Sequence, residues 1–236
     1  MPDAGNVSRD VLADQVKDRL LTAILAGRYP PDSRIVETRI ARELGTSQAP
    51  VREALRGLEA LGIVEITPFR GARVRRPTAH QLLEAYAIRA ELESLAARLG
   101  VPLLTERDLA ALAGLVDEMQ AAARRNDLHA VATADASFHG RLVDVAGNET
   151  LARVWRSLEP FSRTYITLVV PDADPQWAAD LHPPIMAALR ARDPELVIAA
   201  LRNHFAEAGL RLSQEWVDPN GTGGASSAAG QSEGAR

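Results

Sequence analysis

The sequence predicts a mainly α-helical protein in two parts, an N-terminal winged helix-turn-helix and a C-terminal all-helical bundle of about six helices. Three observations carry this. Apolar residues recur at helical spacing as far as Leu61, then give way beyond Gly62 to two short strand-like runs. From residue 81 the helical spacing returns and persists to about residue 217 with no interleaved strands. The charge divides in the same place. Residues 1–78 carry a net +3 and the remainder a net −7, so a polyanion would meet the front third.

Residues 1–10 read as a flexible N-terminus and residues 11–76 as the first domain. Its first helix starts at Val11, places Val11, Val16, Leu20, Leu21, Ile24 and Leu25 on one broad stripe, and stops at Gly27. Tyr29-Pro30-Pro31-Asp32-Ser33 is a turn. A short helix spans 37–44 with Ile40, Ala41 and Leu44 inward, and a third spans 48–61 with Ser47 placed to cap it. Pro50 is tolerable in that first turn, where no intrahelical donor is lost. Strands over 63–67 and 72–75 flank Pro68-Phe69-Arg70-Gly71, and residues 77–80 form a linker.

The second domain, 81–217, opens with a helix marked by Leu82, Leu83, Tyr86, Leu92, Leu95, Ala96 and Leu99. Thr105-Glu106-Arg107-Asp108 caps the next, which reaches about Arg125. Further helices are predicted over 128–146, 149–169 with a bend near Pro160, 176–190 and 194–216. The Gly/Ser/Ala-rich residues 218–236 read as a disordered tail.

Composition narrows the chemistry. No Cys is present, which excludes disulfides, thiolate zinc sites, Fe–S clusters and cysteine catalysis. The start MPDAGNVSRD lacks the basic-then-apolar order of a signal peptide, and no long uncharged apolar run occurs. A soluble cytoplasmic protein without membrane association is expected.

On the third helix, Val51, Ala54, Leu55, Leu58 and Leu61 form the buried stripe, leaving Gln48, Ala49, Arg52, Arg56 and Glu59 outside. A helix presenting its N-terminal turn to a major groove would aim Ser47, Gln48 and Ala49 at base edges or nearby phosphates, with Arg52 reaching a phosphate or a guanine. Phe69-Arg70-Gly71 is a basic tip suited to the backbone or minor groove. The same pattern also fits a small α domain with arginines on its wet face.

Residues 47–62, SQAPVREALRGLEALG, followed by IVEITPFRGARV, closely resemble the DNA-binding domain of GntR-family bacterial transcription regulators over about residues 10–76. The resemblance places Ser47, Gln48, Ala49 and Arg52 where the family contacts DNA, Thr38 where it often touches a phosphate, and Arg70 and Gly71 at the wing. Gln48 stands where Arg is common and Ala49 where Thr or Ser is common. Arg suits bidentate reading of guanine, whereas Gln suits adenine or a less demanding contact, so the family-type inverted repeat would be altered at one position per half-site.

The back domain contains His129, His139, His182 and His204. Asp135 precedes His139 by one helical turn, so both can grip one ion. With His182 and His204 they compose a site for Zn²⁺, Ni²⁺, Mn²⁺ or Fe²⁺. The alternative is that each histidine is an ordinary partly buried or surface group; His129 reads as a surface residue and His80 belongs to the linker. The segments IRAELESLAARL (88–99), DASFHGRLVDVAGN (135–148), HPPIMAAL from His182 and LRNHF (201–205) resemble the all-helical FCD effector domain of the FadR-type subfamily. That resemblance implies one divalent metal held by Asp135, His139, His182 and His204. Leu181, where Glu is frequent, and Pro183-Pro184 depart from the pattern.

Three imidazoles and one carboxylate leave one or two positions on an octahedral ion for a carboxylate or α-hydroxy-carboxylate, and the resemblance implies a small organic acid, sugar acid or acyl compound as effector. Arg89 is the leading clamp for its charge, with Arg163 and Asn148 behind it. An i,i+4 ion pair with Glu93 is the alternative role for Arg89. An open metal site also suits a metal-dependent enzyme, but no nucleophile–base pair, G-x-S-x-G or phosphate-cradling loop accompanies it. The resemblance therefore implies a homodimeric repressor that reads an inverted-repeat operator in double-stranded DNA and is released by its effector. A metal-responsive or constitutive repressor with a structural ion is the second reading.

Overall fold

The computed structural model describes residues 4–68, 70–164 and 173–214, without the side chains of 4–10 and 161–164. The protein is mainly α-helical, with a winged helix-turn-helix in front of a helical bundle. Helix α1 (Ala4–Leu25) starts upstream of Val11, yet its buried stripe begins later. Val16, Leu20, Ile24 and Leu25 are buried, whereas Val11 is half exposed. Gly27 ends the helix's run at φ +73°, a left-handed conformation that favours glycine.

Helices α2 (Glu37–Glu43) and α3 (Gln48–Ala60) pack with α1 around Ile40, Val51, Leu55 and Leu58. Strands β2 (Val64–Thr67) and β3 (Gly71–Val74) form the predicted hairpin. A third strand, β1 (Arg34–Ile35), was not foreseen; it pairs with β3 in the order β1-β3-β2. Two residues are too few to show alternation, and pairing is imposed from outside: the Pro30–Ser33 turn folds back so that Asp32 N–H donates to the Val74 carbonyl and Val74 N–H to that of Ser33. Ile35, Ile63 and Val74 close this core.

The bundle opens with α4 (Ala79–Gly100), which starts inside the stretch expected to be a linker because Thr78 and Gln81 form a reciprocal capping box. Thr105 and Asp108 form a second box at the start of α5 (Glu106–Arg124), at the predicted position. Asp127 caps α6 (Leu128–Val145), and α7 (Glu149–Thr164) runs through Pro160. Predicted residues 165–169 of that helix, and the tail 218–236, lie outside the described residues.

The helix expected over 176–190 is two. Helix α8 (Pro175–Asp180) stops before Leu181, and α9 (Pro183–Ala191) restarts after His182. Pro183 and Pro184 supply no N–H, so the intrahelical bonds that would carry the helix through this point are missing even though His182 keeps helical dihedrals (φ −92°, ψ −32°). Pro183-Pro184 can therefore begin a helix but not continue one. Helix α10 (Pro194–Gln214) closes the described bundle.

Helix α4 lies against α10, α6 and α7, while α5 lies against α6 and α8. The main core is built from Leu82, Leu112, Met119, Phe138, Leu142, Ile185 and Leu201, and a smaller cluster joins Ala96, Val143, Leu151 and Trp155. Gly100 lets the end of α4 approach the backbone after α6. A Cβ there would lie 3.0 Å from Ala146 N and 3.2 Å from Val145 C. Gly100→Ala is expected to destabilise the protein by about 1–3 kcal/mol through overpacking against backbone. An unchanged urea midpoint would show that the contact relaxes freely.

Candidate metal centre and nucleic-acid interface

Asp135 and His139 occupy successive turns of α6, His182 stands at the proline-made break before α9, and His204 sits midway along α10. One ligating atom from each falls within 4.8 Å of all the others. Asp135 Oδ1 is 3.1 Å from His182 Nε2 and 3.7 Å from His139 Nε2. The three imidazole centroids are 4.8, 4.9 and 5.4 Å apart, with Phe138 and Phe205 packed edge-on around them. His139, His182 and His204 are all buried.

Among the described residues, His139 Nε2, His182 Nε2 and His204 Nδ1 make no well-aligned hydrogen bond, Asp135 Oδ1 being the one acceptor close to His182 Nε2. Buried polar atoms are normally paired, because losing water without a replacement is costly. Three such imidazole nitrogens beside one carboxylate are thus a donor set matched to a borderline divalent ion, whose bonds of about 2.0–2.2 Å bring donors to this mutual spacing. The ring orientations agree with that role. His139 Nδ1 lies 2.5 Å from Glu93 Oε2, and His182 Nδ1 lies 3.2 Å from the Ala178 carbonyl. Donation from Nδ1 leaves the lone pair on Nε2, facing the cluster.

Behind the cluster lies an ionic layer. Glu93, wholly buried, accepts from Trp155 Nε1 at 2.7 Å and from Arg89 Nε and Nη2 at 3.3 and 3.1 Å. The Arg89 guanidinium lies over the rings of Trp155 and Phe205. Arg89 therefore occupies the ion pair that was the alternative to an effector clamp. Burial pushes the Glu93 carboxyl up, but His139 and Arg89 outweigh it and hold it below the usual range. Asp135 follows the same pattern: burial opposes its charge, while His139, His182 and Arg89 hold it well below the ordinary value. Burial, and then His139 and His182, push His204 well below the usual imidazole value, keeping it neutral and able to donate a lone pair.

Of the other two expected effector residues, only Asn148 can be placed, and it is engaged away from this group. Asn148 is exposed, and its Oδ1 accepts from Leu151 N–H at the start of α7. The side chain of Arg163 lies outside the described residues. Glu93 and Trp155 were missed as supports; the only sequence signal was the i,i+4 spacing from Arg89 to Glu93. An open groove of about 650 Å³, lined by Trp177, Pro184, Ala188, Leu196 and Asn203, reaches His204 from outside.

On the winged domain Thr38, Ser47, Gln48, Ala49, Arg52 and Arg70 are all exposed, and Gly71 is half-buried. Ser47 stands at the N-cap of α3 but makes no side-chain cap bond. The reason is local: the third helical residue is Pro50, which lacks the N–H a capping hydroxyl accepts from. Its hydroxyl remains available at the exposed end of the helix. Gly71 begins β3 at φ +82°, a conformation that favours glycine. Phe69, expected at this tip, lies outside the described residues. Glu59, expected to be simply exposed, accepts from Ile66 N–H and ties α3 to β2.

A winged domain with an exposed recognition helix, joined to a bundle with this ligand set, matches two protein families. Residues 12–74 match the bacterial regulatory proteins of the gntR family, and residues 84–207 match the FCD domain. The chain is a GntR-family regulator. The probable D-xylose utilization operon transcriptional repressor of Paenarthrobacter nicotinovorans is 38 % identical over 85 % of this chain and 88 % of its own. The gluconate operon transcriptional repressor of Bacillus subtilis is 23 % identical, covering 86 % of each. Among solved structures, Escherichia coli McbR/YncC superposes with a TM-score of 0.77 at 26 % identity, over 86 % of this regulator and 98 % of that chain.

The regulator thus has the FadR-type architecture and a DNA-binding role that family membership supports as non-catalytic. Its effector domain contains a buried Asp/His cluster able to coordinate a metal. Among the described residues, no helix is long and apolar enough to cross a membrane.

Proposed function

We propose that the regulator is a homodimeric repressor whose FCD domain holds one divalent transition metal on Asp135, His139, His182 and His204, and that a small carboxylate or sugar acid binding at this metal releases it from an inverted-repeat operator. The observation that carries the reading is the group of three buried imidazole nitrogens that converge with the Asp135 carboxylate and, among the described residues, make no well-aligned hydrogen bond. When bound, the ion supplies Lewis acidity toward a carboxylate or hydroxyl oxygen. Helices α6 and α10 and the break before α9 hold the donors, and Glu93 and Ala178 set the tautomers of His139 and His182. The groove touches His204 but none of the other three donors, so an effector approaching by it meets the cluster at the His204 side. Arg89 we assign to holding Glu93, not to the effector. The D-xylose and gluconate operons in the names of two relatives support a sugar-derived ligand.

Pairing has a natural surface. Ile88, Leu95 and Leu99 are 50 %, 40 % and 40 % exposed on α4, and with Leu92 they recur at helical spacing along one stripe. A second copy laid on this stripe would bury it, and two winged domains would then straddle a repeat that one recognition helix is too short to specify. In this arrangement Thr38, Ser47 and Arg70 meet phosphates, Gly71 lets the wing approach, and Gln48, Ala49 and Arg52 face the base edges.

The near-complete burial of His139 and His182 also favours a second reading, a structural ion in a repressor that does not sense acids. One experiment separates the two. Metal content is measured, a duplex is selected from a random pool by the metal-loaded chain, and aldonic and short hydroxy acids are added with and without a chelator. Release by an acid only when metal is present supports the sensor; loss of helix on chelation with no acid response supports the structural ion. Absence of both metal and a selected inverted repeat would sink both. Arg52→Ala is expected to weaken binding to the selected duplex by about tenfold or more with an unchanged thermal midpoint; undiminished affinity would remove Arg52 from the interface.

A further inference from the structure

The recognition surface contains an acidic residue that a DNA-binding face ordinarily avoids. Glu37 lies in the first turn of α2, and its Oε2 accepts from Arg52 Nε at 2.7 Å. Arg52 Nη2 donates to Gln48 Oε1 at 3.1 Å. Two helices thus converge on one guanidinium. The Arg52 side chain is still 55 % exposed and that of Glu37 30 % exposed, so the pair sits at the surface where DNA would arrive.

Three consequences follow from the donor inventory. Arg52 has five N–H groups; with Nε and one Nη2 hydrogen engaged, the Nη1 and remaining Nη2 hydrogens form a free fork, the shape that reads O6 and N7 of guanine. Gln48 Oε1 already accepts from Arg52, so one of its two lone pairs is taken and the amide is turned toward the guanidinium, a poorer presentation of the acceptor–donor pair that adenine requires. This differs from the adenine preference suggested by Gln48 taken alone. Finally, Glu37 cancels the charge of Arg52 and repels phosphates, so the arginine adds little to sequence-independent attraction.

We propose that Glu37 is a positioning residue for base discrimination: with Gln48 it fixes Arg52 as a guanine-reading fork and withholds its charge from non-specific phosphate binding. The inference rests on the operator-reading role of α3 proposed above. An exposed ion pair contributes little to folding, so Glu37→Gln keeps the fold and separates the two effects.

The test uses the full chain, wild type, Glu37→Gln and Arg52→Ala, each metal-loaded and each selecting duplexes from the same random pool. Affinities are then measured against the wild-type selected duplex and a scrambled duplex of equal length over a range of salt. The wild type is expected to enrich guanine at one fixed position per half-site. Glu37→Gln is expected to lose preference at that same position by about tenfold. It should also bind the scrambled duplex more tightly, with a salt slope steeper by about one. Arg52→Ala should lose the same position without gaining scrambled-duplex affinity. Retention by Glu37→Gln of the full preference and slope would overturn the inference while leaving the operator reading standing. So would loss at a position different from that of Arg52→Ala. A wild-type chain that enriches no sequence overturns the operator reading, and this inference with it.

Discussion

His139→Ala is expected to abolish stoichiometric metal binding while leaving a chain that still carries its winged domain. The imidazole it removes is wholly buried, offers Nε2 to the cluster and donates from Nδ1 to Glu93. Loss of an outer partner of a ligand typically costs about 10–100-fold in metal affinity, and loss of the ligand itself exceeds that. The truncation also leaves a cavity and takes one donor from Glu93, an additional destabilisation of roughly 3 kcal/mol.

Stability alone would therefore not identify a ligand, so the decisive quantity is the response to metal. Metal at a hundred times its dissociation constant stabilises the wild type by about 2.7 kcal/mol, a rise of roughly 5–10 °C in the bundle's thermal midpoint. Chelation should erase that increment. In His139→Ala the midpoint is expected to be the same with and without metal. A variant whose midpoint still rises with added metal, or that retains one ion per chain by elemental analysis, would show that His139 is not a ligand.

Most of the fold was readable because its signals are local. The stripe Val51, Ala54, Leu55, Leu58 has one helical reading, and all four residues are buried. Thr105 and Asp108 carry their cap in four residues. What was not readable depends on distant pairing or on two local rules in conflict. Strand β1 exists because β3 lies alongside it, and two residues carry no period of their own. Ser47 has a capping side chain, but Pro50 removes the partner, so position and bond part company. The apolar spacing over 176–190 favours one helix, and Pro183 breaks it at the residue that must turn its imidazole inward.

The candidate site divides in the same way. His139 and Asp135 share a helix, so their spacing suggests cooperation, whereas His182 and His204 join them only through the packing of α9 and α10. Glu93 was legible only as a neighbour of Arg89. Its contacts with His139 and Trp155 span 46 and 62 residues of chain, and no periodicity reports on them.

Glu93→Gln is expected to destabilise the regulator by about 3–5 kcal/mol, the cost of stranding a buried charge. Every hydrogen bond to Glu93 comes from a donor: Trp155 Nε1, Arg89 Nε and Nη2 on one oxygen, His139 Nδ1 on the other. A glutamine of the same shape must turn its NH₂ toward one of those donors, and it no longer balances the buried Arg89 guanidinium. Metal affinity should fall with it by roughly 10–100-fold, because His139 loses the partner that orients its ring.

The double variant Glu93→Gln/Arg89→Met tells these effects apart. Removing the stranded cation is expected to recover a large part of the unfolding free energy, whereas the metal affinity stays low because His139 still faces an amide. Urea unfolding and metal titration of the wild type, both single variants and the double variant supply the cycle. Equal destabilisation in Glu93→Gln and in the double variant would mean that Arg89 finds other compensation, and that Glu93 acts on the fold through Trp155 and His139 alone. Unaltered metal affinity in Glu93→Gln would instead separate the ionic layer from the metal centre.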